Sequence, residues 1–464
     1  MWRLSMNKKY PLVASDAFLS QNIDTLNKYS AVEEFADALG DGNDKNLRGI
    51  EYHLIQLRND LRKRLVAKQI FIGTSIIEEV IFNCARNGAS DSVNAAFKLI
   101  NSSVVASPGL IIYPLNSFGI LGVAGCVLRG EEFPTFVLPD CGIALIPQQN
   151  SIEKVKRRIS EMVSELGVRA KLDERLFEHY HVSRDLKWLE NNPLLFVKVR
   201  QFQDYFHENQ FFVVRKTLFA RLLVYMLHVL QDDPDTDVEP LWSTSRVNNW
   251  ETLDCKHYLL LQRDPRSASK LSVNCVPMNI DRAELTEMCE LNANINRQAW
   301  QRKEKRFNQV VLAVKQFEKI YFGNIFRTNK NNQWRRLLER LERSIRYFTR
   351  SFRNSSLNFD SNVYLAMAFE GLLDDFYQPG LAARILRRAR IALKGVRGVN
   401  AYVAAIQKVI ESRGSIVHLG DSSIRIDITN ARKAYVLIFV QIVSLLTSVA
   451  SVNKERPIGV LLGD

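Results

Sequence analysis

Arg413 and His418 are the two residues of this chain whose types and spacing most directly suggest chemistry. They stand in the stretch Ile410-Glu-Ser-Arg413-Gly-Ser-Ile-Val-His418-Leu-Gly420. A guanidinium is a permanent cation that suits a phosphate oxygen. An imidazole exchanges protons near neutral pH. Along an unbroken α-helix a five-residue step turns through about 140°, so the two groups would not share a face. Gly414 offers a place for the helix to stop, and the expectation is that it ends there and brings both groups to one cleft.

The elements that must position these groups are legible nearby. Val399, Tyr402, Val403, Ile406, Val409 and Ile410 recur at helical spacing. Arg413 continues that stripe, at the edge of a buried face, where an arginine needs a partner. The segment Tyr364-Leu-Ala-Met-Ala-Phe-Glu370-Gly-Leu-Leu373 is almost wholly apolar and holds one carboxylate. Glu370 is therefore the expected partner. Downstream, an apolar helix is expected from about Asp427 to Val449. Its run Ala434 to Ala450 falls short of the roughly 20 residues that cross a bilayer, so a buried core helix is expected and no membrane partner.

Two of these stretches together carry a family resemblance. Ala368-Phe-Glu370-Gly-Leu372 is similar to an Ala-Leu-Glu-x-Leu motif, and Arg413-Gly-Ser-Ile-Val-His418 to an Arg-Ser-x-Ile-Val-His motif, of the HEPN superfamily of helical ribonucleases. The Apea-like branch is the nearest. The resemblance covers residues 333–452, and the order of helices expected there (381–393, 400–412, then the long final helix) also fits. It implies a metal-independent endoribonuclease with no cofactor. His418 would perform general acid/base work, Arg413 would stabilise charge on the phosphorane, and Glu370 would orient Arg413. Many members place a polar residue directly after the arginine; here Gly414 stands there, and Ser415 would substitute. The resemblance further implies a homodimer through the C-terminal bundle and a role in bacterial anti-phage defence or as a regulated toxin. The remainder of the chain would then sense a phage-derived trigger. A different class of function, non-catalytic RNA binding or scaffolding by a degenerate bundle, fits the same residues.

Charge points to a polyanionic partner. The 464-residue chain has a net charge of +13, and Arg297 to Arg350 holds 15 Lys and Arg against 4 Asp and Glu. Trp300, Phe307, Tyr321, Phe326, Trp334 and Tyr347 interleave with these cations. Such a mixture could stack bases and neutralise phosphates, but amphipathic helices with aromatic cores produce it too. The aromatics are expected in the core and the cations on a polar face. A second basic run within the bundle supplies the expected RNA-binding residues Arg384, Arg387, Arg388 and Arg390. The six cysteines form neither Cys-x-x-Cys nor a zinc spacing, and the chain opens without a signal-peptide pattern. Reduced thiols and a cytoplasmic location are expected. No phosphate-binding Gly-x4-Gly-Lys loop is present, which argues against an NTPase motor. No metal is expected either. The acidic run Asp232 to Pro240 lacks the glycine of a calcium loop, and His179-Tyr-His181 has no completing ligands.

The expected fold is mainly α, with a small β-containing N-terminal region and a C-terminal HEPN-like helical bundle. The expected division is an α/β sensor or regulatory region over 1–231, an acidic linker and connecting segment over 232–300, and the nuclease domain over 301–464. In the first region helices are expected at 31–39, 48–68, 75–87 and 90–100. Short strands are expected over 104–147, including a strand–turn–strand at 133–146. Ser151 can cap a helix with the stripe Ile152, Val155, Ile159, Met162, Val163 and Leu166, and Gly167 can end it. Another helix is expected at 215–230, where Arg221 and His228 imitate a looser Arg–His motif but read as polar positions on a core helix.

Overall fold

The computed structural model describes residues 12–40, 44–102, 107–115, 119–121, 135–138, 141–144, 152–175, 177–178, 189, 192, 194–202, 210–231, 255–264, 267–296, 302–326, 334–352, 358–375, 379–419, 427–453 and 455–464. It is mainly helical, with a β-containing N-terminal region, as expected. Among the described residues six helices come first: α1 (Leu12–Gln21), α2 (Ile23–Leu26), α3 (Val32–Gly40), α4 (Lys45–Ala67), α5 (Thr74–Arg86) and α6 (Ser92–Ser102). On α4, Ile50, Leu54, Leu57, Leu61 and Leu65 recur at three- and four-residue steps and are all buried, which builds one apolar stripe. Asp44 starts that helix by accepting from the Asn46 N–H at 2.8 Å. Phe35, Ile81 and Phe82 close a core built from these helices together with Ile70 and Ile72 of the short link between α4 and α5.

The strands assemble from distant parts of the chain. They are β1 (Ile70–Phe71), β2 (Ser107–Pro114), β3 (Gly119–Leu121), β4 (Thr135–Leu138), β5 (Cys141–Ala144), β6 (Lys171–Leu172), β7 (Leu194–Phe202), β8 (His257–Asp264), β9 (Ser267–Pro277) and β10 (Asn294–Asn296). An eight-stranded sheet has the order β4-β5-β7-β2-β8-β9-β6, with β1 also on β7, while β3 and β10 pair separately. The expected hairpin is present as antiparallel β4 and β5, paired from Thr135↔Ala144 to Leu138↔Cys141. The connector expected over 232–300 is corrected in part. Residues 257–264 and 267–277 are two strands of this sheet, with Gly109 to Ile112 of β2 paired to β8. The acidic run 232–240 lies outside the described residues.

The long apolar runs are explained by burial on both faces of the sheet. Leu110, Ile112, Leu194, Phe196, Leu259 and Leu261 pack on one side against α7 (Ile152–Glu165). Ile111, Tyr113, Leu195, Val197, Tyr258 and Leu260 alternate to the other side. The stripe expected on α7 is the one that packs, with Val155, Ile159, Met162 and Val163 buried. Gly167 ends that helix with φ +74°. Its N–H donates to Ser164 O and the Val168 N–H to Val163 O, the paired bonds of a left-handed helix stop.

Behind the second face lies α8 (Gln210–Leu230), of which 17 of 21 residues are buried. A helix apolar all round belongs inside a core. It joins α9 (Arg282–Cys289), α10 (Glu304–Asn324), α11 (Trp334–Arg350), α12 (Asn358–Leu373), α13 (Leu381–Ala392), α14 (Val399–Leu419), α15 (Thr429–Thr447) and α16 (Pro457–Leu462). Phe219 of α8 meets Phe317 and Tyr321 of α10 edge-on, with ring centroids 5.4 and 5.2 Å apart. One hydrophobic core thus runs from the sheet through α8 into the bundle. A bundle that begins at residue 301 would lack this central helix, so the expected boundary cuts through a shared core.

Candidate functional site

Glu370 on α12 and Arg413 on α14 meet. Arg413 Nε lies 3.4 Å from Glu370 Oε1, with the side chains 32 % and 25 % exposed. The positions of both helices explain the encounter. Gly371 lets α12 approach α11 so closely that a Cβ there would lie 2.9 Å from Ser344 Cβ. Ser344 Oγ donates to the Ala368 carbonyl at 2.6 Å, and with its proton used it accepts from the Tyr435 hydroxyl at 2.8 Å. On α14, Val403, Ile406, Val409 and Ile416 are buried, which fixes the rotation that sets Arg413 at the edge of the core.

The electrostatics leave this pair open to a third group. Arg413 Nε is buried and has no aligned hydrogen-bond partner, so the contact with Glu370 is an ion pair and not a closed fork. Burial pushes the Glu370 carboxyl above its ordinary range; Arg413 opposes that, and Asp374 one turn on adds to it. Asp374 is itself engaged by Arg384 Nε at 2.6 Å.

The helix end expected at Gly414 is not there. α14 continues to Leu419, and Gly414 has nothing within 4 Å of where a Cβ would stand. A mid-helix glycine costs only about 1 kcal/mol, less than the burial of Val409 and Ile416 on either side of it returns. Along this unbroken helix position 418 is about 140° from Arg413, and Ser415 about 160°. Ser415 and position 418, three residues apart, share a face instead, and Ser415 is half-buried. Arg413 and Ser415 therefore stand on different faces of α14. The His418 side chain lies outside what is described.

The second basic run divides. Arg388 is corrected: it is wholly buried and held by Asp375 at 2.8 Å, Asp464 at 2.7 Å and the Leu373 carbonyl at 2.8 Å. It is a core residue that cannot reach a phosphate. Arg384 is largely occupied by Asp374. Arg387 is 60 % exposed while pairing with Asp464 at 2.5 Å, and Arg390 is exposed. Asp375 also accepts from the N–H groups of Ile458 and Gly459 at 2.7 and 3.0 Å, which caps α16. The acids that hold these arginines were missed because none lies within the basic run: Asp374 and Asp375 precede it on another element, and Asp464 follows 76 positions after Arg388. Asp374 and Asp375 stand directly after the apolar α12 and were the available signal. As expected, Phe307, Tyr321 and Trp334 are core residues, with Phe326 and Tyr347 half-buried; Trp300 lies outside the described residues.

No protein-family model, no curated protein and no solved structure matches the chain. Among the described residues no group of three or more His, Cys, Asp or Glu is gathered as for a metal ion. His179, His181 and the acidic run 232–240 lie outside them. Arg221, as read, is a buried position of α8. No described helix is long and apolar enough to cross a membrane.

Proposed function

We propose that this chain is an endoribonuclease that cleaves RNA by attack of the 2′-OH on the adjacent phosphate, without a metal ion. The observation that carries the reading is the Glu370–Arg413 ion pair, because these two residues anchor the two stretches in which the chain resembles HEPN ribonucleases. RNA brings its own nucleophile, so cleavage needs proton transfer and stabilisation of the charge that grows on the phosphorane. Arg413, with its unaligned Nε, supplies that charge, Glu370 orients it, and His418 moves the proton. The unbroken α14 separates Arg413 from position 418 in one chain. A two-fold pairing of bundles, in which each copy faces His418 to the other's Arg413, completes the site. Arg387 and Arg390 contribute sequence-independent phosphate attraction. A cytoplasmic homodimer, restrained until a phage-derived trigger reaches the N-terminal region, is the setting this chemistry requires in a defence protein or regulated toxin.

The same unbroken helix favours a second reading, a non-catalytic RNA-binding or scaffold protein that keeps the bundle. Incubating the purified full chain with total RNA, with and without EDTA, separates the two. The nuclease reading expects EDTA-resistant cleavage with 2′,3′-cyclic phosphate ends, lost in Arg413→Ala and His418→Ala. Cleavage of an oligonucleotide with deoxyribose at the scissile position would overturn the mechanism. Binding without any cleavage would establish the scaffold reading.

A further inference from the structure

The outward face of α11 carries a line of cations with no part in the proposed site. Arg336, Arg340, Arg343, Tyr347 and Arg350 recur at steps of four, three, four and three, so on a helix they lie within about 80° of one another. The opposite side is the buried one, where Leu337, Leu341, Ile345 and Phe348 enter the core. That burial fixes the rotation of α11 and turns the line of cations towards solvent. Arg336 and Arg343 are exposed. Glu339, the acid between them, is drawn to Arg335 at 2.8 Å. Arg343 reaches the Glu339 carbonyl at 3.5 Å, and among the described residues neither it nor Arg336 is paired with a carboxylate. Arg340 is turned inwards, 3.7 Å from Asp375.

An aromatic platform continues the line. Tyr347 lies nearly parallel to Tyr364 of α12, with ring centroids 6.4 Å apart and planes 16° from each other. Both are half-buried. The Arg350 guanidinium stands 5.7 Å from the centre of the Tyr347 ring, and Glu287 of α9 holds it at 2.5 Å. Tyr364 precedes Glu370 by six positions, about 9 Å along the axis of α12, and Met367 between them is half-buried. Solvent therefore reaches α12 from the platform towards the Glu370–Arg413 pair.

We propose that this face of α11 and the Tyr347–Tyr364 pair bind single-stranded RNA, a surface that deepens the RNA-handling reading above and rests on it. Arg336 and Arg343, about 10 Å apart along the helix, each engage a phosphate, since a guanidinium fork matches phosphate oxygens. A base of the same strand stacks on the tyrosine pair. Every base has a π face, so the platform accepts any sequence. The combination favours a flexible strand over a duplex, whose bases are stacked on one another and leave the tyrosines unused. An acidic protein surface would neutralise the arginines equally well, but it brings no ring for the tyrosines to stack with.

The test uses the wild-type full chain and a fluorescent 2′-O-methyl RNA strand, whose blocked 2′ oxygen prevents the cleavage proposed above. Binding is followed by anisotropy across a range of salt. Arg336→Gln combined with Arg343→Gln is expected to lower the slope of log Kd against log salt by about 1.4, the share of two phosphates on a single strand. Tyr347→Leu is expected to weaken binding at least about fivefold at an unchanged slope, the loss of one stacked base. Tyr347→Phe, which keeps the ring, should retain wild-type affinity. The same sequence presented as a duplex should bind more weakly than the strand. Thermal midpoints establish that each variant is folded. An unchanged slope in the arginine variant, equal losses in Tyr347→Phe and Tyr347→Leu, or a duplex bound as tightly as the strand would overturn the proposal. Because the probe cannot be cut, the expected pattern would stand even if ordinary RNA is never cleaved. Cleavage of ordinary RNA would likewise stand if the pattern fails.

Discussion

Glu370 carries a charge that the fold disfavours, and this makes its role separable from stability. Its carboxyl is raised chiefly by burial, with Asp374 adding to the effect and Arg413 only partly offsetting it. The folded chain then holds this proton more tightly than the unfolded chain does, so the contribution of Glu370 to stability falls as pH rises through its raised pKa. A glutamine has no such loss. Glu370→Gln is expected to gain stability relative to the wild type between pH 4 and pH 7.5, measured by urea unfolding at both values, while RNA cleavage drops. A gap that narrows with rising pH would contradict the assigned shift. Arg388 predicts the opposite pattern. Its removal takes from Asp375 and Asp464 the one cation that bridges them inside the core, leaving Asp375 with Arg340 at 3.7 Å and Asp464 with the more exposed Arg387, and breaking a buried pair costs about 3–5 kcal/mol. Arg388→Ala should therefore lower the unfolding midpoint strongly. Arg390→Ala, on the exposed face, should leave stability within about 0.5 kcal/mol and flatten the salt dependence of RNA binding.

At the scale of elements, the close crossing of α12 and α11 is the most sensitive joint. A methyl group at Gly371 would meet Ser344 Cβ at 2.9 Å and Cα at 3.2 Å, and neither of those atoms can swing away. Overpacking of this kind costs about 1–3 kcal/mol. Gly371→Ala should lower the thermal midpoint and, by shifting the neighbouring Glu370, reduce cleavage more than its stability loss accounts for. Gly414→Ala, with open space around it, should be neutral or mildly stabilising, and thermal melts of the two variants side by side check both. This contrast also marks where sequence reading succeeded. α7 was legible because its stripe recurs at helical spacing and Gly167 stops it at a positive φ. Glu370 could be paired with Arg413 because each is a charge set against an apolar run. α14 misled because glycine permits a helix end without requiring one, and the burial of Val409 and Ile416 settled the matter. Arg388 misled because a run of arginines shows nothing of acids 13 residues before it or 76 after it. The pairing of β2 with β7 and β8 joins segments some 80 and 150 positions away, and each apolar run is compatible with many partners.

For the whole molecule, the shared core changes what a dissection should produce. On sequence grounds, residues 297–464 would be a nuclease released from its regulator, and more toxic than the full chain. The packing argues otherwise. Phe219 and Tyr225 of α8 lie against Phe317 and Tyr321 of α10 and against Phe352 after α11, the last a stacked pair at 4.4 Å. Arg215 reaches Glu342 of α11 at 3.3 Å, and Lys216 pairs with Glu318 of α10. Without α8 the fragment would expose several aromatic faces and leave Glu318 and Glu342 short of cations. Each fully buried aromatic contributes about 1.5–3 kcal/mol, so the loss approaches the stability of an ordinary domain, about 5–15 kcal/mol. The fragment 297–464 is expected to be aggregated or molten, with weak near-ultraviolet dichroism, and inert in cells. Helices α1–α6 differ, because they hold a core of their own and meet the rest through Val66 and Arg62 of α4, the latter 5.5 Å over the Phe326 ring, and through Phe71, which stacks on Phe212 at 3.7 Å and touches Phe322 edge-on. Phe71→Ala in the full chain should loosen that joint while both cores stay folded, seen as faster amide exchange in β1 and at the start of α8. If the N-terminal helices restrain the nuclease, this variant should cleave RNA faster than the wild type. If its cleavage rate is unchanged while the exchange quickens, those helices are not the restraint. A soluble, cooperatively folded 297–464 fragment would show that α8 is dispensable and that the expected boundary was sound.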